Sequence, residues 1–171
     1  VWEAASANLG SDQHSLLIAG SGHFSDQWAI QTTALGLPVI RTPHTEGQPI
    51  DIAAIEAALR ADTQHHIAAV MVVHTDTASG ITSDLQAIRK AINSTGHPAL
   101  YVVDVVASLG AAPFDMDALG ADVCLGSSQK GLMMPPGLGF VAVNAKAFAW
   151  SKAHAKPRFY WSWLERKTDI Q

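Results

Sequence analysis

Short apolar runs that alternate with helical patterns constrain this chain more than any other feature. Each run is nearly continuous in hydrophobic residues, which is typical of strands buried on both faces of a parallel sheet. Six such runs occupy residues 15–20, 37–41, 67–74, 100–105, 122–126 and 139–143. The sequence therefore predicts six strands, most of them parallel.

Two of the segments between these runs repeat their apolar residues with the period of a helix. Their apolar positions are Ile52, Ile55 and Leu59 in the first and Leu85, Ile88 and Ile92 in the second. The second helix is predicted to begin at a capping box made by Ser83 and Gln86. Strands and helices in this alternation predict an α/β fold with a mostly parallel sheet sandwiched by helices, whose ligands gather at the carboxyl ends of the strands.

Composition excludes several classes of protein. With 171 residues, of which 48% are hydrophobic and 15% charged, the chain is expected to form one soluble domain. A net charge of -4 without a basic stripe argues against binding of nucleic acid. No apolar stretch approaches the roughly 20 residues of a membrane span. The single cysteine, Cys124, allows no internal disulfide, so we expect a cytoplasmic protein.

Both ends of the sequence suggest an excerpt of a longer protein. The chain opens without methionine, and residues 2–9 have the pattern of a helix closed by Gly10 but not preceded by a capping residue. At the other end, residues 161–171 stop without a terminating element. We therefore expect further protein on both sides.

Two charged residues follow predicted strands in apolar surroundings. Asp104 follows the apolar residues 100–103, where an unpaired carboxylate would be costly. Lys130 follows the run 122–126 in a segment of Gly, Ser, Met and Pro, and a buried lysine loses its proton easily and attacks carbonyl carbon. Because both residues lie at strand ends of one sheet, they are expected to share a site in which Asp104 pairs with a cation supplied by a ligand, such as a protonated pyridine nitrogen.

Simpler interpretations of these residues stay open. Asp104 alone fits a strand-end cap, Lys130 alone fits a surface loop, and residues 74–80 fit an ordinary turn with hydroxyl donors. The segment 20–25 has Ser25 where a dinucleotide-binding fingerprint requires its third glycine, which disfavours a nicotinamide fold.

A hydrolase and a metal site are also disfavoured. Ser127 and Lys130 match the S-x-x-K motif of serine β-lactamases, but the companion motifs S-D-N and K-T-G are absent. His66 and His74 would lie about 26 Å apart on one strand, too far to share a metal ion.

Three ordered motifs resemble those of the class V aminotransferases. They are H-T-D-T-A-S-G at residues 74–80, V-D-V-V-A-S-L-G at 103–110, and G-S-S-Q-K-G at 126–131 followed by P-P-G at 135–137. The resemblance extends over essentially the whole chain and is nearest to the serine–glyoxylate and alanine–glyoxylate aminotransferases. It implies the large domain of the fold-type I transferases, with pyridoxal 5′-phosphate as cofactor.

The resemblance implies a role for each matching residue. Lys130 would hold the cofactor as a Schiff base and later move the α-proton of the substrate, and Asp104 would bind the pyridinium nitrogen. Val106 would pack under the cofactor ring, and Phe24 would stack over it.

Two further contacts and two departures come from the same resemblance. Thr77 would approach the ring hydroxyl and Gln129 the phosphate. The family more often has Glu at the position of Asp76 and Ser at that of Ala78, so altered hydrogen bonding around the substrate is expected there.

The resemblance also implies what the protein does. It would move an amino group from a small amino acid of the serine or alanine type to glyoxylate or a similar 2-oxo acid, as a homodimer. Residues 1–171 would be a partial large domain, with the glycine-rich phosphate segment before Val1, and the substrate-binding arginine and small domain beyond Gln171.

Three alternatives remain beside this function. The first is a truncated, catalytically inactive fragment that acts only as a folded or interaction domain. The others are a phosphonate aminotransferase and a desulfurase, although a desulfurase needs a loop cysteine and Cys124 falls in a predicted strand.

Overall fold

The structure is a computed structural model, and it describes residues 1–154, 156 and 158–169. The strands are β1 (Ser15–Ile18), β2 (Val39–Arg41), β3 (Ile67–Val73), β4 (Thr75–Asp76), β5 (Ile81–Thr82), β6 (Leu100–Asp104), β7 (Val123–Ser127) and β8 (Gly139–Val143). The helices are α1 (Trp2–Leu9), α2 (His23–Ala34), α3 (Ile52–Ala61), α4 (Leu85–Thr95), α5 (Met116–Leu119), α6 (Ala145–His154) and α7 (Trp163–Asp169).

Six strands form one sheet in the order β2-β1-β3-β6-β7-β8. Every pair is parallel except β7 with β8, which is antiparallel. The predicted α/β fold with a mostly parallel sheet is confirmed. In the centre of the sheet Asp104 is in register with Val73 of β3 and Leu125 of β7, so three strands end at nearly the same level.

Helices cover both faces of the sheet, and successive residues of β3 show why the strand is continuously apolar. Val70 and Val72 belong to a core formed with α3 and α4, whereas Met71 and Val73 belong to a core formed with α1, α2 and α6. A strand covered on both faces needs apolar side chains at every position, not at every second one.

The edge strands depart from the predicted burial. The apolar runs at 37–41 and 139–143 were expected to be buried on both faces, but β2 and β8 have partly or fully exposed residues along their lengths. Both strands lie at an edge of the sheet, where helices cover them less completely. The short antiparallel pair of β4 and β5 has no counterpart in the prediction.

The start of α4 also differs from the prediction. Asp84, not Ser83, is the N-cap, and its side chain accepts a hydrogen bond of 2.9 Å from the amide of Ala87. The Ser83 hydroxyl instead accepts from the amide of Ile50 at 3.2 Å. The capping box of Ser83 and Gln86 is therefore wrong, because the adjacent Asp takes the capping position.

The two ends of the described chain pack together on one face of the sheet. Asn8 of α1 donates to the carbonyl of Trp161 at 2.6 Å and accepts from the Ser151 hydroxyl and the Trp163 amide. A helix, α7, covers residues 163–169 of the final segment, and residues 155, 157, 170 and 171 of the predicted domain lie outside the described residues. In the described part of the chain, no helix has the length and apolar character needed to cross a membrane.

Candidate active site

One cavity of about 400 Å³ opens at the carboxyl ends of β3, β6 and β7. It is lined by all six residues that the resemblance assigns to the cofactor, namely Phe24, Thr77, Asp104, Val106, Gln129 and Lys130. The other lining residues are Val1, Trp2, Val73, Thr75, Ala107 and Ser127. The sequence motifs therefore converge on one place, and the roles of the individual residues stay predictions.

Asp104 carries its carboxylate at the end of the central strand β6 and is only 4% exposed. Its Oδ1 accepts the Val106 amide at 2.7 Å, and its Oδ2 accepts the indole Nε1–H of Trp2 at 2.5 Å. Within the described residues, no Lys, Arg or His side chain forms an ion pair with it. Burial raises the pKa of Asp104, and the two N–H donors offset part of that rise.

Lys130 lies in the turn that follows β7 and has an exposed side chain. The expectation of a buried lysine is therefore wrong, because the turn carries the amine to the surface of the cavity. The turn itself is well held: the Met133 amide donates to the Lys130 carbonyl at 2.9 Å, and the Ser128 hydroxyl donates to the Pro135 carbonyl at 2.6 Å.

Phe24 reaches the cavity from the first turn of α2, and a distant carboxylate holds it there. Asp76 is fully buried, and its Oδ2 accepts the Phe24 amide at 3.0 Å. The Oδ1 of Asp76 accepts the amides of Ala78 and Ser79 at 2.9 and 3.3 Å. Asp76 therefore joins the start of α2 to the turn after β4, and it does not line the cavity.

Sequence reasoning missed two polar groups of the cavity. The Ser127 hydroxyl is buried and has no hydrogen-bond partner within the described ranges, which leaves it available to a ligand. Its signal is the S-x-x-K spacing to Lys130, which as a motif indicates a hydrolase and not a cofactor contact. Trp2 gave no signal of its own, because nothing local relates it to Asp104.

Other reactive side chains lie away from this cavity. His74 is buried and its Nδ1 pairs with the Ser108 hydroxyl at 2.8 Å, and burial lowers its pKa. Cys124 lies in β7 as predicted, and burial raises its pKa to about 12, so it is not a loop nucleophile. Within the described residues, no three His, Cys, Asp or Glu side chains are placed to hold a metal ion.

Comparison with known proteins assigns the chain to a family. Residues 3–153 match the class-V aminotransferases. The chain belongs to this family. It is 41% identical to the serine–glyoxylate aminotransferase of Methylorubrum extorquens over 98% of its length and 43% of that protein's length. It is 40% identical to the L-aspartate–glyoxylate aminotransferase of Paracoccus denitrificans over 93% of its length and 40% of that protein's length.

Solved structures give the same fold. The alanine–glyoxylate aminotransferase of a Nostoc species superposes with a TM-score of 0.86 at 24% identity, over 99% of this chain and 44% of that one. The class-V aminotransferase chain described here thus has the fold-type I architecture, and the cofactor of its family is pyridoxal 5′-phosphate. It spans less than half the length of the curated relatives that it matches.

Proposed function

We propose that this chain is the cofactor-binding part of an aminotransferase that moves an amino group from a small amino acid to glyoxylate or a similar 2-oxo acid. The observation that carries the proposal is that Asp104 and Lys130, at the ends of neighbouring strands, line one cavity. The functions of the two relatives, both glyoxylate aminotransferases, support the same reaction class.

The donor set of the cavity fits pyridoxal 5′-phosphate. A buried carboxylate suits a cationic ring nitrogen, a primary amine suits an aldehyde, and an aromatic ring suits a flat heteroaromatic one. Asp104, Lys130 and Phe24 supply these three groups. The unpartnered hydroxyl of Ser127 and the side chains of Thr77 and Gln129 add polar partners for the oxygens of the cofactor.

The cofactor, when bound, supplies the electron sink that makes the α-proton of an amino acid acidic. Lys130 would hold it covalently through Nζ and, once displaced by the amino acid, use the same amine to take the α-proton and return it. Asp104 would keep a negative charge beside the ring nitrogen. Phe24 and Val106 would fix the plane of the ring from its two faces.

The relatives agree on the amino acceptor of the proposed reaction but not on the amino donor. The two relatives share glyoxylate as a named substrate, but one pairs it with serine and the other with aspartate. No arginine of the described chain lines the cavity, so nothing here would grip a substrate carboxylate bidentately. We propose that the substrate-binding half of the site comes from the rest of the protein or from a second subunit of a homodimer.

The isolated 171 residues contain two hydrophobic cores of their own. The cavity has no arginine among the described residues, so we expect the isolated chain to be inactive as a transaminase. Activity is therefore a property to test on the full-length protein.

The test is a two-substrate assay of the full-length protein loaded with pyridoxal 5′-phosphate. L-Serine, L-alanine and L-aspartate are offered as donors, each with glyoxylate, pyruvate or 2-oxoglutarate. We expect glycine to form from glyoxylate with at least one donor, and faster than the other acceptors are aminated. A loaded protein that aminates none of the 2-oxo acids would contradict the proposal, and release of sulfide from cysteine or turnover of an aminophosphonate would replace it with another reaction of the family.

A further inference from the structure

Trp2, the first residue of α1, places its indole in the cavity beside the carboxylate of Asp104. The indole Nε1–H donates to Oδ2 of Asp104 at 2.5 Å, across 102 residues of sequence. The other oxygen, Oδ1, is taken by the Val106 amide at 2.7 Å. The carboxylate is thus held at both oxygens, once by its own strand end and once by α1.

The indole is itself held in place by other aromatic rings. It stacks on Trp28 with ring centroids 5.7 Å apart and an interplanar angle of 11°, and it meets Phe24 edge-on at 6.3 Å. Trp28 is fully buried and its own indole N–H donates to the Ser6 hydroxyl at 3.1 Å. Trp28 is therefore anchored in the core, and the Trp2 indole rests on it in a nearly parallel plane.

The bond matters because Asp104 has few other means of carrying charge. It is 4% exposed and, within the described residues, no cationic side chain forms an ion pair with it. Trp2 is the one side chain of the described residues that donates a hydrogen bond to it, and donors to the ionised form of a carboxyl favour that form. Because the indole is neutral, it does not compete with a cationic ligand for the carboxylate, as a lysine or arginine would.

We propose that Trp2 is a positioning residue that fixes the orientation and charge of the Asp104 carboxylate for the cofactor's ring nitrogen. The proposal rests on the proposed function, because it takes Asp104 as the partner of that nitrogen. It adds a residue of α1 to the site and makes the aromatic stack of Trp2 and Trp28 part of the cofactor-binding apparatus.

The matched pair of variants is Trp2→Phe and Trp28→Phe in the full-length protein. Each removes one indole N–H from the same stack and keeps an aromatic ring, but only Trp2 reaches Asp104. Circular dichroism and thermal unfolding establish that both variants fold. The readout is the titration of the Asp104 carboxyl in cofactor-free protein, followed by ¹³C NMR and assigned with Asp104→Asn.

We expect Trp2→Phe to raise the pKa of Asp104 by about one unit, the size of effect that one donor to a charged group provides. Trp28→Phe should leave the titration near the parental one. In the loaded protein, the acid limb of the pH–rate profile should move upward with Trp2→Phe, and Trp2→Phe should add nothing further in the Asp104→Asn background.

Two results would overturn the proposal. One is an unchanged Asp104 titration in a folded Trp2→Phe variant. The other is an equal shift in Trp28→Phe, which would mean that the stack acts only through packing. Failure of the proposed function would look different. The Asp104→Asn variant would then turn over at the parental rate, whereas in protein that keeps Asp104 the titration of its carboxyl would still depend on Trp2.

Discussion

Gly131, the residue after Lys130, packs directly against the backbone of Leu109 in the turn that follows Asp104. A Cβ placed on Gly131 would lie 2.3 Å from the Leu109 carbonyl oxygen and 2.9 Å from the Ala111 amide nitrogen. Neither is a flexible side chain, so one of the two turns would have to move. The contact sets the position of the Lys130 turn relative to the Asp104 turn.

Gly131→Ala is therefore expected to displace Lys130 while the sheet stays folded. Misplacement of a reacting group by about 1 Å can cost up to about a hundredfold in rate. We expect a loss of that order in turnover, together with less cofactor trapped by borohydride. Gly47→Ala is the control, since Gly47 has a positive φ but open space around it, and the substitution should affect stability without affecting trapping. Parental trapping in Gly131→Ala would show that the contact does not position Lys130.

Phe24→Ala tests whether the ring stacks on the cofactor. If it does, cofactor retention should weaken by about 0.5–1.5 kcal/mol beyond the lost area. The measurement is the dissociation constant for pyridoxal 5′-phosphate of the full-length variant. Phe24→Tyr keeps the ring and should retain the cofactor, whereas a parental dissociation constant in Phe24→Ala would show that the ring does not stack on the cofactor and serves packing against Trp2.

Asp76→Ala should loosen the attachment of Phe24, although Asp76 itself does not line the cavity. The variant removes a fully buried carboxylate and leaves the partly buried amides of Phe24, Ala78 and Ser79 without their acceptor, which lowers the free energy of unfolding by about 1–3 kcal/mol. Asp76→Asn keeps one acceptor oxygen and should lose less. Chemical denaturation measures both, and equal stability of Asp76→Ala and the parent would contradict this role.

The sequence predicts most of the sheet because a strand buried on both faces needs a continuous apolar run, which is visible in the local sequence. The run at β3 is apolar at every position since Val70 and Val72 pack on one core and Met71 and Val73 on the other. Asp104 and Lys130 are recognisable for a related reason, because each is a charged residue that follows such a run within a few positions.

The contacts that complete the site have no such local sequence pattern. The bond from Trp2 to Asp104 joins residues 102 positions apart, and that from Phe24 to Asp76 joins residues 52 apart. Each depends on how α1 or α2 packs against the strand ends, which no local pattern specifies. The exposure of Lys130 escaped prediction because it depends on the path of the turn after β7.

Acid should destabilise the fold partly through His97. Its ring lies beside Asp62, with Nε2 and Oδ2 3.2 Å apart. Burial lowers the pKa of His97, and the hydrogen bond with Asp62 offsets part of that change. Because the folded pKa lies below the unfolded one, the unfolded chain binds the proton first as the pH falls. The resulting stability is present above the ordinary histidine pKa of about 6.5 and is lost below it.

His97→Gln should therefore flatten the upper part of the acid transition. We expect the parent to lose more stability than the variant between pH 7 and pH 5, as measured by denaturation at each pH. Full protonation of one such group corresponds to a slope of at most about 1.4 kcal/mol per pH unit. His23→Gln controls for the loss of a histidine that is exposed. Parallel curves for parent and His97→Gln would exclude a contribution from this histidine.

Lys130 and Asp104 are expected to fail in different ways when each is removed from the full-length protein. Lys130→Ala should abolish the borohydride-trapped adduct, and it should lower turnover by at least about 10²–10⁴-fold, because one amine both binds the cofactor and moves the proton. Asp104→Asn leaves the amine in place, so the adduct should persist. It should nevertheless lose most of its turnover, since a neutral amide does not keep the ring nitrogen protonated. Adduct formation and single-turnover rates, measured on the same preparations, separate the two effects. Parental turnover in Asp104→Asn with normal cofactor content would return Asp104 to the role of a strand-end cap.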